Sequence, residues 1–371
     1  MQFIDLGKQR ERIQEKLEKR LAKVLAEGRY ILGPEVAEFE QKIADYLGVK
    51  HAVACANGTD ALLIPLMAKG IGPGDAVFVP SFTFAATAEV VALAGASPVF
   101  VDIDPDTYNI DIRSLEAAIA AIRDEGELTP KAIIPVDLFG LAADYAGIGR
   151  IAAREGLFVI EDAAQATGGA QGNTMCGAFG DVAGTSFYPA KPLGCYGDGG
   201  AMFTNDADLA ETLRSVAFHG KGRSQYDNVR IGVNSRLDTL QAAILLEKLA
   251  ILPEEMELRQ KVAARYSDAL GDAVKVPVIP AGNRSAWAQY AIETPVRDRV
   301  RAALKEEGIP SVVYYEKPLH LQEAYAVYPR TPAGLPVSET LPDRILCLPM
   351  HPYLTEADQD RIVATIRGAV K

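Results

Sequence analysis

Between residues 51 and 204 the chain repeats one pattern, and that pattern limits its folding choices more than any other feature. Short apolar runs alternate with segments of helical spacing. Runs at 51–55, 76–79, 99–101, 132–136 and 157–161 read as strands, and the segments 60–68, 85–93, 114–123 and 148–155 read as helices between them. Two more strands are expected at 181–187 and 200–204. A helix that carries the chain back to the same end of a sheet makes the next strand parallel and covers the sheet's face. The expected fold class is α/β with a mainly parallel sheet.

The flanking segments differ. An exposed, charged helix is expected at 9–27, and a second begins at Pro34 and runs to about 47. A helix at 237–249 follows the alternating region, with Pro253 marking its end. Beyond it the order changes to helix, short strand, helix, strand, with a last helix at 355–370. The boundary is therefore placed near residue 250, giving a large domain over 1–250 and a smaller C-terminal α+β domain over 251–371. Pro65 lies inside an expected helix, which must be kinked there or bounded differently.

Composition removes several function classes. The formal net charge of −11 argues against nucleic acid as the main partner. Residues 76–101 carry one charge, Glu89, but also Pro80, Gly95 and Pro98, so two buried strands around a helix explain them better than a membrane span. The four cysteines form no C-x-x-C pair and the four histidines are scattered, so neither a metal site nor a disulfide framework is expected. The charged N-terminal segment lacks a signal-peptide core, and a cytoplasmic location is expected.

Four features sit where an α/β sheet binds ligands, beyond the carboxyl ends of its strands. Asn57-Gly58-Thr59 joins a strand to a helix and offers backbone N–H groups to a phosphate. The segment does not match the G-x-G-x-x-G pattern of a dinucleotide site. Asp162 follows the apolar run 157–161, with Gln165 three residues on. Lys191 stands between an apolar strand and the glycine-rich turn Gly194-Cys195-Tyr196-Gly197-Asp198-Gly199-Gly200. Phe84 lies just past the strand at 76–79. Singly, each has a plainer reading: a capped turn, an N-cap, a surface lysine, a core aromatic. Together they are what pyridoxal phosphate (PLP) requires: an amine for a Schiff base, a carboxylate for the ring nitrogen, a phosphate cup and a stacking partner.

These pieces, in this order, resemble the DegT family of sugar-nucleotide aminotransferases over essentially the whole chain. The resemblance runs from Gly28-Arg29-Tyr30-Ile31-Leu32-Gly33-Pro34 through Asn57-Gly58-Thr59-Asp60, Pro80-Ser81-Phe82-Thr83-Phe84, Glu161-Asp162-Ala163-Ala164-Gln165 and the Lys191 segment. It closes with Gly232-Val233-Asn234-Ser235-Arg236 and Leu348-Pro349-Met350-His351. It implies an aspartate-aminotransferase-like (fold type I) PLP enzyme, working as a homodimer with shared active sites. It assigns the Schiff base to Lys191, the pyridinium contact to Asp162, the O3′ contact to Gln165 and ring stacking to Phe84. The phosphate cup falls to Gly58, Thr59 and Ser186, with Asn234 entering from the partner subunit. L-glutamate is the implied donor.

The glycine turn resembles that of relatives aminating C3, especially those acting on UDP-linked 2-acetamido-3-keto uronic acids in surface-polysaccharide pathways such as lipopolysaccharide and O-antigen. Arg236 is then the candidate for the substrate anion, and Tyr30 and His320 match sugar-pocket positions. Lys221 and Arg223 read as a solvated basic loop. Tyr314 and Glu316 depart from the His and Pro of many relatives. Two alternatives stay open: a dTDP-linked 3-keto-6-deoxyhexose as acceptor, and a non-catalytic PLP-binding regulatory protein.

Overall fold

The computed structural model describes residues 1–224 and 226–371. Helices α1 (Leu6–Glu27) and α2 (Pro34–Leu47) lead into β1 (His51–Cys55), α3 (Gly58–Ala68), β2 (Asp75–Pro80), α4 (Ala86–Leu93) and β3 (Ser97–Val101). Then come α5 (Ile112–Glu125), β4 (Thr129–Ile133), α6 (Tyr145–Glu155) and β5 (Phe158–Asp162). A small hairpin, β6 (Ala170–Gln171) and β7 (Thr174–Met175), precedes β8 (Val182–Ser186), β9 (Gly200–Thr204), α7 (Ala207–Ala217) and α8 (Thr239–Leu270). The C-terminal part holds β10 (Asn283–Arg284), β11 (Tyr290–Glu293), α9 (Arg297–Glu306), α10 (Pro336–Thr340), β12 (Ile345–Leu348) and α11 (Glu356–Val370).

The seven-stranded sheet has the order β1-β9-β8-β5-β4-β2-β3. Strand β9 alone runs against its neighbours, pairing antiparallel with β1 and β8, while the remaining pairs are parallel. The α/β class and mainly parallel sheet are as expected. The carboxyl ends of β1, β2, β5 and β8 therefore share one edge, and Gly200 at the start of β9 pairs there with both Cys55 and Ser186. Apolar side chains pack both faces, with Val77, Val79 and Ile160 in one cluster and Phe78, Ile133 and Val159 in another. This follows from the period-two alternation of strand side chains.

One expectation about proline needs correcting. Pro253 does not end its helix: α8 runs 32 residues through it. The missing N–H and ring clash cost about 3 kcal/mol. The continuing helix offsets this by burying Met256, Val262, Ala263, Tyr266 and Leu270. Residue 250 thus falls inside a continuous helix. Leu245, Leu246 and Leu249 of its first half join the core with α2, whereas Val262, Tyr266 and Leu270 join the core with β11, β12 and α11. That second core also takes in Phe82, Tyr108 and Phe139 from the first 250 residues. Pro65 lies within α3. It leaves the Ala61 carbonyl without its helical donor, and that oxygen faces Gly184 so closely that a Cβ there would sit 2.7 Å away.

Candidate active site

The carboxyl-end edge of the sheet gathers the expected cofactor residues of this chain. Helix α3 starts at Gly58, capped by Asn57, whose side chain accepts from Asp60 N at 2.8 Å. The first backbone donors of a helix have no partner inside it. Gly58 and Thr59 supply such donors, and the helix dipole favours an anion beside them. Ser186 ends β8 directly alongside: a Cβ on Gly58 would lie 2.6 Å from Ser186 Cβ. Glycine is needed here for close approach, and the cradle so formed accommodates a phosphate.

Asp162 ends β5 and is buried. Its Oδ2 accepts from the Thr87 hydroxyl at 2.9 Å and its Oδ1 from Ala164 N at 3.2 Å. Burial pushes its pKa up, while Thr87, Ala164 N and the positive charge of Lys191 pull it back. Lys191 is half-buried in the loop after β8, its N–H donating to Tyr188 O at 2.9 Å. Burial lowers the pKa of its amine and Asp162 counteracts that. An amine held toward its neutral form beside a buried carboxylate is suited to imine chemistry. Lysine, carboxylate and phosphate cradle together fit pyridoxal phosphate.

Gln165 is buried in a turn rather than on a helix. Its Oε1 accepts from Phe139 N at 2.7 Å, and its Nε2 donates to the Tyr315 hydroxyl at 3.1 Å. The Phe84 ring is 60% exposed, so a face remains open to a ligand. Phe82 two residues earlier is buried edge-on against Tyr315.

Among the described residues, the other expected residues make no hydrogen bond to this cluster. His320 is buried, with Nδ1 2.6 Å from Ser81 Oγ and Nε2 3.2 Å from Glu339. These contacts tie the loop after β2 to α10. Tyr30 is exposed, and its carbonyl accepts from Thr239 N. Asn234 is exposed beside the bridge it makes with Phe218. Arg236 lies over the Phe218 ring, 5.0 Å from its centroid. It opens onto a cleft of about 660 Å³ together with Lys221, Arg223 and Arg230. Lys191, Asp162 and Gln165 do not line that cleft.

Sequence reasoning missed Thr87 and Tyr315. Thr87 lies three residues beyond Phe84 at the start of α4, a spacing that marks one helical face once α4 is known. Tyr315 comes from the C-terminal part, and nothing local announces its reach to Gln165. Among the described residues one group of side chains is spaced for metal binding: Asp137, Glu161 and Cys176, all buried.

A lysine, a buried carboxylate and a helix N-terminus at one edge of a sheet of this order fit the class of PLP-dependent enzymes. The chain belongs to the DegT/DnrJ/EryC1/StrS aminotransferase family, whose model matches residues 11–367, and it is an aminotransferase. It is 51% identical to the UDP-2-acetamido-2-deoxy-3-oxo-D-glucuronate aminotransferase of Pseudomonas aeruginosa, over 99% of both chains. It is 46% identical to a pleiotropic regulatory protein of Geobacillus stearothermophilus, over 98% of this chain and 97% of that one. Among solved structures, a DegT DnrJ EryC1 StrS aminotransferase from Brucella abortus matches with a TM-score of 0.99 at 72% identity, over 99% of both chains.

Proposed function

We propose that the protein transfers the amino group of L-glutamate to C3 of a nucleotide-linked keto sugar, with UDP-2-acetamido-2-deoxy-3-oxo-glucuronate as acceptor. The pairing of Lys191 with buried Asp162 beside the α3 N-terminus carries the chemistry of this reading. Full-length identity of 51% to an aminotransferase of that sugar supports the acceptor. The product would enter surface polysaccharide, lipopolysaccharide and its O-antigen included, from the cytoplasm. No helix among the described residues is long and apolar enough to cross a membrane.

PLP, when bound, supplies an electron sink and carries the amino group between the two substrates. Lys191 would anchor it, and its amine would take the proton from the donor's Cα. Asp162 holds the ring nitrogen protonated. Gly58, Thr59 and Ser186 bind the phosphate, Phe84 covers the ring and Gln165 meets its hydroxyl.

The enzyme is proposed to work as a homodimer. Arg236 and Asn234 lie outside the cofactor cluster of their own chain, as residues serving a partner's site would. Val229 and Ile231 near them in sequence, and Tyr30, Ile31 and Leu32, joined to the same region by the Ile31–Asp238 bridge, are exposed apolar residues of the kind a partner covers. Arg236 would grip the uronate carboxylate, with Tyr30 and His320 at the sugar pocket.

The test is the visible spectrum of the PLP-loaded protein. L-glutamate should remove the cofactor's visible band, and the UDP-linked 3-keto uronate should restore it where a 4-keto sugar does not. A band untouched by glutamate would overturn the reading. It would favour instead a regulatory protein, a role suggested by the name of the 46% identical relative. Intact Lys191 and Asp162 weigh against that alternative. Restoration by a dTDP-linked 3-keto-6-deoxyhexose alone would move the acceptor to that sugar.

A further inference from the structure

Directly behind Asp162 lies a second acidic group to which the transamination chemistry assigns no role. Asp137 and Glu161 have no solvent exposure, and neither has a cation within ion-pair distance among the described residues. Their carboxyl oxygens and the buried Cys176 sulfur include atoms lying within 4.8 Å of one another. Glu161 Oε1 accepts from Gly177 N at 2.5 Å and Oε2 from Phe179 N at 2.7 Å. Asp137 Oδ1 accepts from Ala143 N at 3.0 Å and from the Tyr145 hydroxyl at 2.8 Å. Asp137 Oδ2 is buried without a partner.

Two charges of one sign this close in a dry interior repel strongly, and an orphaned buried oxygen adds its own penalty. One proton held between the carboxyls removes both. A metal ion is the other way to balance them. Both Glu161 oxygens are already engaged by backbone donors, and burial pushes the Cys176 thiol toward its neutral form, away from the thiolate a metal needs. The other titratable group facing the pair is the Tyr145 hydroxyl from α6, also held neutral by burial.

The pair is built into the backbone that carries Asp162. Glu161 and Asp162 are consecutive on β5, so their side chains leave opposite faces of the sheet. Asp137 N donates to Asp162 O at 3.0 Å, and Asp162 N donates to Pro135 O at 2.9 Å. Movement of either acid therefore moves Asp162. We propose that Asp137 and Glu161 share a single proton and act as positioning residues that hold Asp162 in register with Lys191. The link to the cofactor rests on the function proposed above; the shared proton does not.

The test uses the full chain, with and without PLP, as wild type, Asp137→Asn and Glu161→Gln. In Asp137→Asn the amide N–H replaces the shared proton and its oxygen keeps both Oδ1 contacts, so the protein folds and binds PLP as wild type does. The infrared carbonyl band of a buried protonated carboxyl is present in wild type and lost in Asp137→Asn. Burial raises both carboxyls, Asp137 to about 6, and the neighbouring charge of Asp137 raises Glu161 further. A raised carboxyl contributes stability that is present at low pH and lost as pH rises through the raised value. Wild-type Tm should thus fall as pH rises through about 6, and this fall should be reduced in Asp137→Asn. Glu161→Gln turns an amide donor toward Gly177 N or Phe179 N, and its Kd for PLP should rise at least about tenfold. A wild-type protein without the infrared band, or with a stoichiometric metal ion at the pair, would overturn the shared proton. Unchanged PLP affinity in a folded Glu161→Gln protein would overturn the positioning role.

Discussion

Replacing Gly58 by alanine tests the phosphate cradle at its tightest point. The added Cβ would sit 2.6 Å from Ser186 Cβ and 3.2 Å from both Ser186 Cα and Oγ. Carbon atoms pack comfortably at about 3.5–4.0 Å. Both Cβ atoms are attached directly to backbone, so no rotamer relieves the contact. The first turn of α3 must move about 1 Å from the end of β8, the order of overpacking that destabilises a protein by about 1–3 kcal/mol. The same shift separates the Gly58 and Thr59 N–H groups from Ser186, which are assigned to one phosphate. Losing one charge-assisted hydrogen bond, worth about 1.5–3 kcal/mol, weakens PLP by about 10- to 150-fold. The assay is absorbance titration of cofactor-free protein with PLP, beside its thermal unfolding. Gly149→Ala in α6 is the control: its Cβ meets nothing within 4 Å, so PLP affinity should hold and stability should rise by about 0.5–1 kcal/mol. A Gly58→Ala protein that binds PLP like wild type would show that the phosphate does not sit between α3 and β8.

Lys191→Ala should remove the visible band of the bound cofactor and all turnover, while PLP still associates through its phosphate; a retained band refutes the anchor. Asp162→Asn should lower kcat by orders of magnitude with a smaller change in KM, because the carboxylate acts most where the ring withdraws electrons. Burial raises Asp162, so PLP capture by the cofactor-free protein should weaken as pH falls through a value above the ordinary carboxylate range. Only the ionised carboxylate pairs with a protonated ring, and pH-independent capture would count against that pairing. Arg236→Ala should cost about 10- to 150-fold in kcat/KM with the 3-keto uronate and little with a 3-keto-6-deoxyhexose. Equal losses with both sugars would deny Arg236 the carboxylate.

The parts of the site that could be read from sequence are those held within one strand–loop–helix unit. Asn57-Gly58-Thr59 caps a helix at the end of a strand, Asp162 ends an apolar run, and Lys191 precedes a glycine turn; period and turn chemistry mark all three. Pro253 misled because propensity is a local quantity. Pro253 would stop an isolated helix, yet α8 continues because its second half buries Met256 and Tyr266 against elements far along the chain. Tyr315 on Gln165 and His320 on Ser81 are contacts across 150 and 239 residues, and no periodicity encodes such distances. His320 is the sharpest case, because its ring nitrogens meet Ser81 and Glu339, groups that its own motif does not point to.

The arrangement separates two tasks. In the proposed site the chemistry of amino transfer rests on a lysine, a carboxylate and a phosphate cradle in fixed register, at the ends of β5 and β8 and the start of α3 along one sheet edge. Selecting a sugar needs groups that differ between relatives without disturbing that register. Here Lys221, Arg223, Arg230 and Arg236 lie around a cleft that Lys191 does not line. If that segment serves a second subunit, its sequence can change acceptor preference without touching Asp162 or the pair of acids behind it. Substitutions between 219 and 236 should then shift kcat/KM among acceptor sugars while the glutamate half-reaction keeps its rate. Substitutions that break the acid pair, such as Glu161→Gln, should slow both halves together. A variant in the 219–236 segment that slowed only the glutamate half-reaction would contradict this division.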